Sequence, residues 1–243
     1  MEGLQLNRQV IRWYFNCVYT PIYDFGIAQS TPYKRLQAFC LDKLTFKSSD
    51  HILCIGVGTG NEIIKILEKE NDVSIIGIDT SQKALDRAYR KSLRHGNKIN
   101  ILQMDAHKLE FADETFDKVL CLHVMGFLEN DERATQEILR VLKKGGQCVA
   151  TYPSGIGSLK LGGEIAHSIW QDLKSMRFIS AAKRSIAPIV GSIAYIPVSS
   201  WVKPSKGFYS NQKLTEMQNG IGFTKYTIDE DTAYQDYVVW GVK

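Results

Sequence analysis

The stretch ILCIGVGTGNE, residues 52–62, decides the reading of this chain. It begins as an apolar run of strand length, and from Asn61 onward the pattern turns helical, with Ile63, Ile64 and Leu67 on one face. Between strand and helix stand Gly56, Gly58 and Gly60. Glycine lets the chain turn sharply and lets a ligand approach the backbone with no Cβ in the way. The helix start beyond offers unpaired N–H groups to a negative group. Such a glycine pattern is weak alone; its place between a strand and a helix gives it weight.

Working outward, a second apolar run, Val73–Ile78, leads to Asp79 in SIIGIDTS (residues 74–81), nineteen residues after Gly60. A carboxylate at the tip of the second strand can accept hydrogen bonds from both hydroxyls of a ribose. The alternative for Asp79 is a cap on the helix that starts at Ser81. Nicotinamide dehydrogenases share both features, but their fingerprint wants glycine at the first, third and sixth positions. Counted from Gly56, the sixth residue is Asn61 and the glycine falls on the fifth, Gly60. This points away from a dinucleotide.

Three more runs read as strands: Ile99–Gln103, Lys118–Leu122 and Gln147–Tyr152, beside the first at His51–Ile55. Between them lie helical patterns at Asn61–Glu70, Ser81–His95 and Asp131–Leu142. Near-continuous apolar strands alternating with helices imply a parallel sheet covered on both faces, a doubly wound α/β unit. The flanks differ. Residues 1–50 read as a helical cap, with Val10, Ile11 and Tyr14, then Leu36, Phe39 and Cys40, at helical spacing and a turn-like Thr20–Pro32 between. Residues 153–207 interrupt the alternation with an amphipathic stretch, Glu164–Met176, and an apolar one, Ile186–Val198, broken by Pro188 and Gly191. Residues 208–243 return to a helix, Asn211–Gly220, and two closing strands, Phe223–Ile228 and Asp236–Gly241. The expected organisation is one domain, 1–243, with its ligand-binding core at 51–152 and an insertion at 153–207 before the last helix–strand pair.

Bulk composition narrows the classes. With 44% hydrophobic and 23% charged residues, an ordinary globular core is expected. No run is long enough to span a bilayer, and the N-terminus lacks the basic and apolar regions of a secretory signal. Five scattered cysteines form no CxxC pair, which argues for a reducing compartment and against structural zinc. A cytoplasmic location is the default expectation. A net charge of +4 is too small to imply nucleic acid. Between Gly157 and Lys206, however, seven basic residues stand against Glu164 and Asp172. They form either a solvated face or a surface for an acidic substrate or anionic membrane.

Taken in order, residues 52–152 resemble the core of class I S-adenosylmethionine-dependent methyltransferases. ILCIGVGTG resembles the family's first motif, IIGIDTS its second, LQMDAHKLEF (102–111) its third and FDKVLCLHVMGFL (116–128) its fourth. EILRVLKKGGQCVATYP (137–153) resembles the helix and strand that precede the substrate lobe. The flanking segment YTPIYDFG (19–26), followed by Arg35, resembles that of quinone C-methyltransferases and phospholipid N-methyltransferases. The implied fold is a Rossmann-like methyltransferase sheet with N-terminal helices and a helical insertion, and the implied cofactor is S-adenosyl-L-methionine.

The resemblance also implies roles. Gly56 and Gly58 would let the methionine half of the cofactor lie against the turn, with Gly60 completing the loop. Asp79 would hold the ribose and Thr80 line the adenine. Asp105 would accept from the adenine amino group, with the Ala106 N–H beside it; the other reading of Asp105 is a cap on the next turn. Leu122 and His123 would lie near the sulfonium. His123 is either a general base or a structural histidine. Tyr23 either folds over the cofactor or packs the N-terminal helix. Asp117 is expected to order its strand. One departure stands out: the family usually carries an acid at the position of Cys54, where it orders the glycine loop. A cysteine there is expected to pack as a small apolar residue.

The expected activity is methyl transfer to a small, hydrophobic acceptor, a lipid or natural-product intermediate, with Trp170, Phe178, Tyr195 and Trp201 available for an apolar lid. The amino-directed signature Asn-Pro-Pro-Tyr is absent, which disfavours nucleic acid. Peripheral membrane contact is compatible with the basic insertion. The competing reading is a regulatory or scaffold protein that binds the cofactor without methyl transfer.

Overall fold

A computed structural model describes residues 10, 13–24, 28, 30–94, 98–154, 167, 170, 174, 208–231 and 236–243. The chain divides into two compact units: residues 1–36, 156–203 and 232–234 form one, and residues 37–155, 204–231 and 235–243 the other.

The second unit holds a sheet of seven strands: β1 (His51–Ile55), β2 (Ser74–Asp79), β3 (Ile99–Gln103), β4 (Phe116–Cys121), β5 (Leu142–Pro153), β6 (Lys225–Asp231) and β7 (Asp236–Val242). Their order is β3-β2-β1-β4-β5-β7-β6. The first five are parallel; β7 runs antiparallel between β5 and β6. Chain order reverses between β1 and β4, the switch point at whose carboxyl edge α/β sheets bind ligands.

At the centre of the sheet, β1 forms where apolar residues run unbroken, because both its faces are covered. In β1 only His51 is exposed, and Ile52, Leu53, Cys54 and Ile55 are buried. The helices α3 (Asn61–Lys69), α4 (Gln82–Ser92) and α5 (Asp131–Val141) follow β1, β2 and β4. Each buries one stripe: Ile63 and Ile66 in α3, Ala84, Leu85 and Ala88 in α4, Ala134, Ile138 and Val141 in α5. Ser81 caps α4 by accepting from the Ala84 N–H at 3.3 Å. Asn130 caps α5 by accepting from the Arg133 N–H at 3.0 Å. The helix α6 (Asn211–Ile221) precedes the closing hairpin.

Two sequence expectations are revised. The strand β5 begins at Leu142, not Gln147: Phe116 pairs with Leu142 and Lys118 with Gln147, so the intervening Lys-Lys-Gly-Gly is looped inside a register shift. Thr20–Pro32 is not simply a turn. A π-helical turn, Phe15–Tyr19, runs into α1 (Thr20–Tyr23), and α2 (Thr31–Asp42) starts before Pro32. Pro32 is tolerated because a proline in the first turn removes an N–H that has no helical partner.

Of the insertion beyond Ser154, His167, Trp170 and Lys174 are described; all three are helical and exposed. The Lys174 ammonium lies 5.5 Å from the Trp170 ring centroid. Phe178, Tyr195, Trp201 and the stretch Ile186–Val198 lie outside the described residues. Among the described residues no helix is long and apolar enough to cross a membrane.

Candidate active site

The site is built on the loop between β1 and α3. Gly56 has φ +63°, a left-handed conformation that L side chains rarely adopt, and a Cβ placed on it would lie 2.1 Å from Val124 Cγ2. At Gly58 such a Cβ would meet only the Gly56 carbonyl oxygen, 3.8 Å away, so the backbone there borders open space. Gly60 does a different job. Its Cβ would come within 3.1 Å of the Ala88 Cα and Cβ, so its bareness lets the loop pack against α4. Within the loop the Val57 N–H donates to the Ile78 carbonyl (2.9 Å) and the Gly60 N–H to the Val57 carbonyl (2.8 Å).

Asp79 lies at the tip of β2, and its two oxygens are divided. Oδ2 accepts from the Gly58 N–H and Oδ1 from the Ser81 N–H, both at 2.9 Å. Burial pushes its carboxyl above the usual range, opposed by N–H donors from Ser81, Gly58 and Thr80. A carboxylate oxygen accepts more than one hydrogen bond, so these contacts leave capacity for ribose hydroxyls. The loop's acidic support therefore comes from Asp79, not from position 54. Lys91 of α4 adds a cation, donating to Asn61 Oδ1 (2.8 Å) and Thr59 Oγ1 (3.3 Å). Sequence reasoning missed Lys91, although a lysine in the last turn of α4 is a weak signal.

Thr80 is exposed beside Asp79, and its carbonyl accepts from Gln103 Nε2 at 2.9 Å. Asp105 follows β3. Its Oδ1 accepts from the His107 N–H (2.8 Å) and faces His107 Nδ1 (2.6 Å), the turn-capping geometry, while Oδ2 has no protein partner among the described residues. Against a desolvation cost, the His107 N–H and ring hold Asp105 below the usual carboxylate range. The Ala106 methyl is buried in the core. Asp117 orders strands, accepting at Oδ2 from the His51 N–H (3.0 Å) and Lys143 Nζ (2.8 Å).

At the end of β4, Leu122 is buried and His123 turns the chain with φ +58°. The His123 N–H donates to Thr151 Oγ1 of β5 at 2.8 Å. Its Nδ1 lies 3.2 Å from Oδ2 of Asp236, a buried acid at the start of β7. Neither partner was legible in the sequence, because the antiparallel register that brings Asp236 opposite Pro153 has no local signature. Tyr23, in the other unit, packs its ring 5.7 Å from Tyr19 and edge-on to Tyr33 at 6.0 Å.

Beneath the loop, Cys54, Gly56, Leu120, Leu122 and Glu62 line a small pocket. The Cys54 thiol is buried and held neutral, its pKa driven upward first by burial and then by the nearby Glu62 charge. Glu62 stands in the first turn of α3, and its Oε1 accepts from Nε2 of the buried Gln37 at 3.0 Å. An open glycine backbone, a ribose-ready acid and an acid-bearing pocket on the other side of β1 fit an adenosine carrying a charged amino-acid tail.

Comparison with known proteins agrees. A family model described as "Methyltransferase domain" matches residues 53–150. Phosphatidylethanolamine N-methyltransferase of Cereibacter sphaeroides is 33% identical over 153 residues, covering 61% of this chain and 68% of that protein. The ubiquinone/menaquinone biosynthesis C-methyltransferase of Desulfotalea psychrophila is 26% identical over 221 residues, covering 86% and 80%. The structure of Haemonchus contortus phosphoethanolamine N-methyltransferase 2 in complex with S-adenosyl-L-methionine superposes with a TM-score of 0.59 at 16% identity. That match covers 86% of this chain and 52% of that one, and it speaks for the fold. The chain belongs to the class I S-adenosylmethionine-dependent methyltransferases. It is an enzyme, with S-adenosylmethionine as its cofactor, and the reading as a protein without methyl transfer is set aside.

Proposed function

We propose that the enzyme methylates a small lipid-like acceptor and that His123, oriented by Asp236, takes the acceptor's proton. The observation that carries the second part is the His123–Asp236 pair. A carboxylate facing Nδ1 fixes that nitrogen as the proton-bearing one, which makes Nε2 the basic nitrogen. The strained φ of a non-glycine residue at this point is the kind of outlier that functional sites retain. The bound cofactor supplies a methyl group on a positively charged sulfur, open to displacement by a nucleophile in line with the departing sulfur.

The residues around it bind and orient. Asp79 and Asp105 would hold the two ends of the adenosine, and Leu122 would keep water from the transfer. A base serves any acceptor that must lose a proton: a hydroxyl, an acidic carbon or an ammonium. The acceptor class rests on the relatives, whose names specify phosphatidylethanolamine, ubiquinone or menaquinone, and sterol. Trp170, exposed with Lys174 against its ring, supports peripheral contact with lipid; a cytoplasmic setting is part of the same proposal.

The test is incubation with methyl-labelled cofactor and lipid extract. Label is expected in the organic phase, and His123→Asn, which tolerates a positive φ, should lower kcat by roughly a hundredfold. Asp236→Asn should lower it less. Label confined to water-soluble products would overturn the acceptor class, and full activity in His123→Asn would overturn the base.

A further inference from the structure

The strand order places β2 on one side of β1 and β4 on the other. With the ribose at Asp79 on the β2 side, the tail of the cofactor would run across the glycine loop toward β4. On that side the pocket is walled by Cys54, Gly56, Leu120 and Leu122, and Glu62 is its ionisable member besides a thiol kept neutral. The tail ends in an α-amino acid group, whose ammonium, unlike its carboxylate, needs an anionic acceptor in an apolar pocket. Cys54 cannot be that acceptor. Glu62 can, and it is held for the purpose: the Gln37 amide donates to Oε1 from a buried position on α2.

We propose that Glu62 receives the ammonium of S-adenosylmethionine, with Gln37 as its positioning residue, so that the acid for the ammonium stands in the first turn of α3 while Asp79 supports the loop itself. This rests on the reading of the glycine turn as the cofactor site. The competing explanation is structural, an acid favoured at a helix N-terminus by the backbone dipoles. The two differ in what they predict for ligands with and without the amino group.

The experiment is calorimetric titration of S-adenosylhomocysteine, of its analogue lacking only the amino group, and of 5′-methylthioadenosine, which lacks the whole tail. Glu62→Gln should weaken S-adenosylhomocysteine by roughly tenfold to a hundredfold. The same substitution should leave the two amine-free ligands within about twofold. Gln37→Leu should give a smaller loss with the same ligand selectivity. Cys54→Asp placed in the Glu62→Gln background should restore much of the lost affinity. Equal weakening of all three ligands, or no change in any, overturns the proposal, because a purely structural acid would not distinguish them. If Glu62→Gln does not fold, the wild-type protein still decides: equal affinity for S-adenosylhomocysteine and its amine-free analogue overturns the proposal. Asp79→Ala is the separate control. It should weaken all three, and its failure to do so would sink the reading of the turn itself.

Discussion

At the scale of single residues, Gly56 shows how tightly the loop is specified. Two penalties meet there: a positive φ, costing an alanine about 1–2 kcal/mol, and a collision with Val124, of the overpacking kind that costs about 1–3 kcal/mol. Gly56→Ala should therefore lower the free energy of unfolding by about 3 kcal/mol in urea titration. Adding Val124→Ala should relieve the collision but not the backbone strain, so recovery should be partial. Full recovery would mean that the conformation at Gly56 is unimportant. The glycines and Asp79 were legible in the sequence because their chemistry is local: a turn, and an acid at a strand tip. Glu62 stood in the same quoted stretch and was passed over. Its significance depends on Gln37 and Cys54, which only the fold brings beside it.

At the scale of elements, α5 clamps the loop that carries Asp105. Glu137 Oε2 accepts from the Leu109 N–H (2.9 Å) and from Arg140 Nη2 (2.8 Å). Arg140 in turn donates to the carbonyls of Leu109 and Phe111, both at 2.8 Å, and pairs with Asp113. Arg140 beside it, with the Leu109 N–H and Arg133, holds the Glu137 carboxyl below its usual range. A depressed folded pKa gives stability that is fully present above the ordinary value of 4.5 and is lost as pH falls through the lower folded value. Glu137→Gln should cost about 2 kcal/mol at pH 7 and should flatten the loss of stability on acidification. An acid limb as steep as wild type in urea titrations would contradict this. The helix itself was readable from its apolar spacing. The clamp was not, since it joins a helix to a loop whose path follows no sequence period. The early start of β5 escaped for a related reason: Lys143, Lys144, Gly145 and Gly146 resemble a helix end, and only pairing with β4 makes their flanks a strand.

At the scale of the whole molecule, the parallel half of the sheet could be read in advance because its strands are short, largely apolar runs and helices follow β1, β2 and β4, while a loop joins β3 to β4. The antiparallel end could be read as strands but not as neighbours. Charge is uneven along the chain: the net +4 is modest, while residues 157–206 carry a local excess of basic side chains. Sedimentation with vesicles should show binding to anionic but not neutral lipid, falling as salt rises. Equal binding to both would dismiss an electrostatic contact. The position of β7 has a consequence in time. The residues proposed to hold the adenosine all precede His123 in the chain, but Asp236 follows it by 113 residues. In the proposed roles, the groups that bind the methyl donor are therefore synthesised well before the partner of the base. Under the proposal that His123 is the base, catalytic competence waits on the strand that slots between β5 and β6, and the order of synthesis separates ligand capture from chemistry.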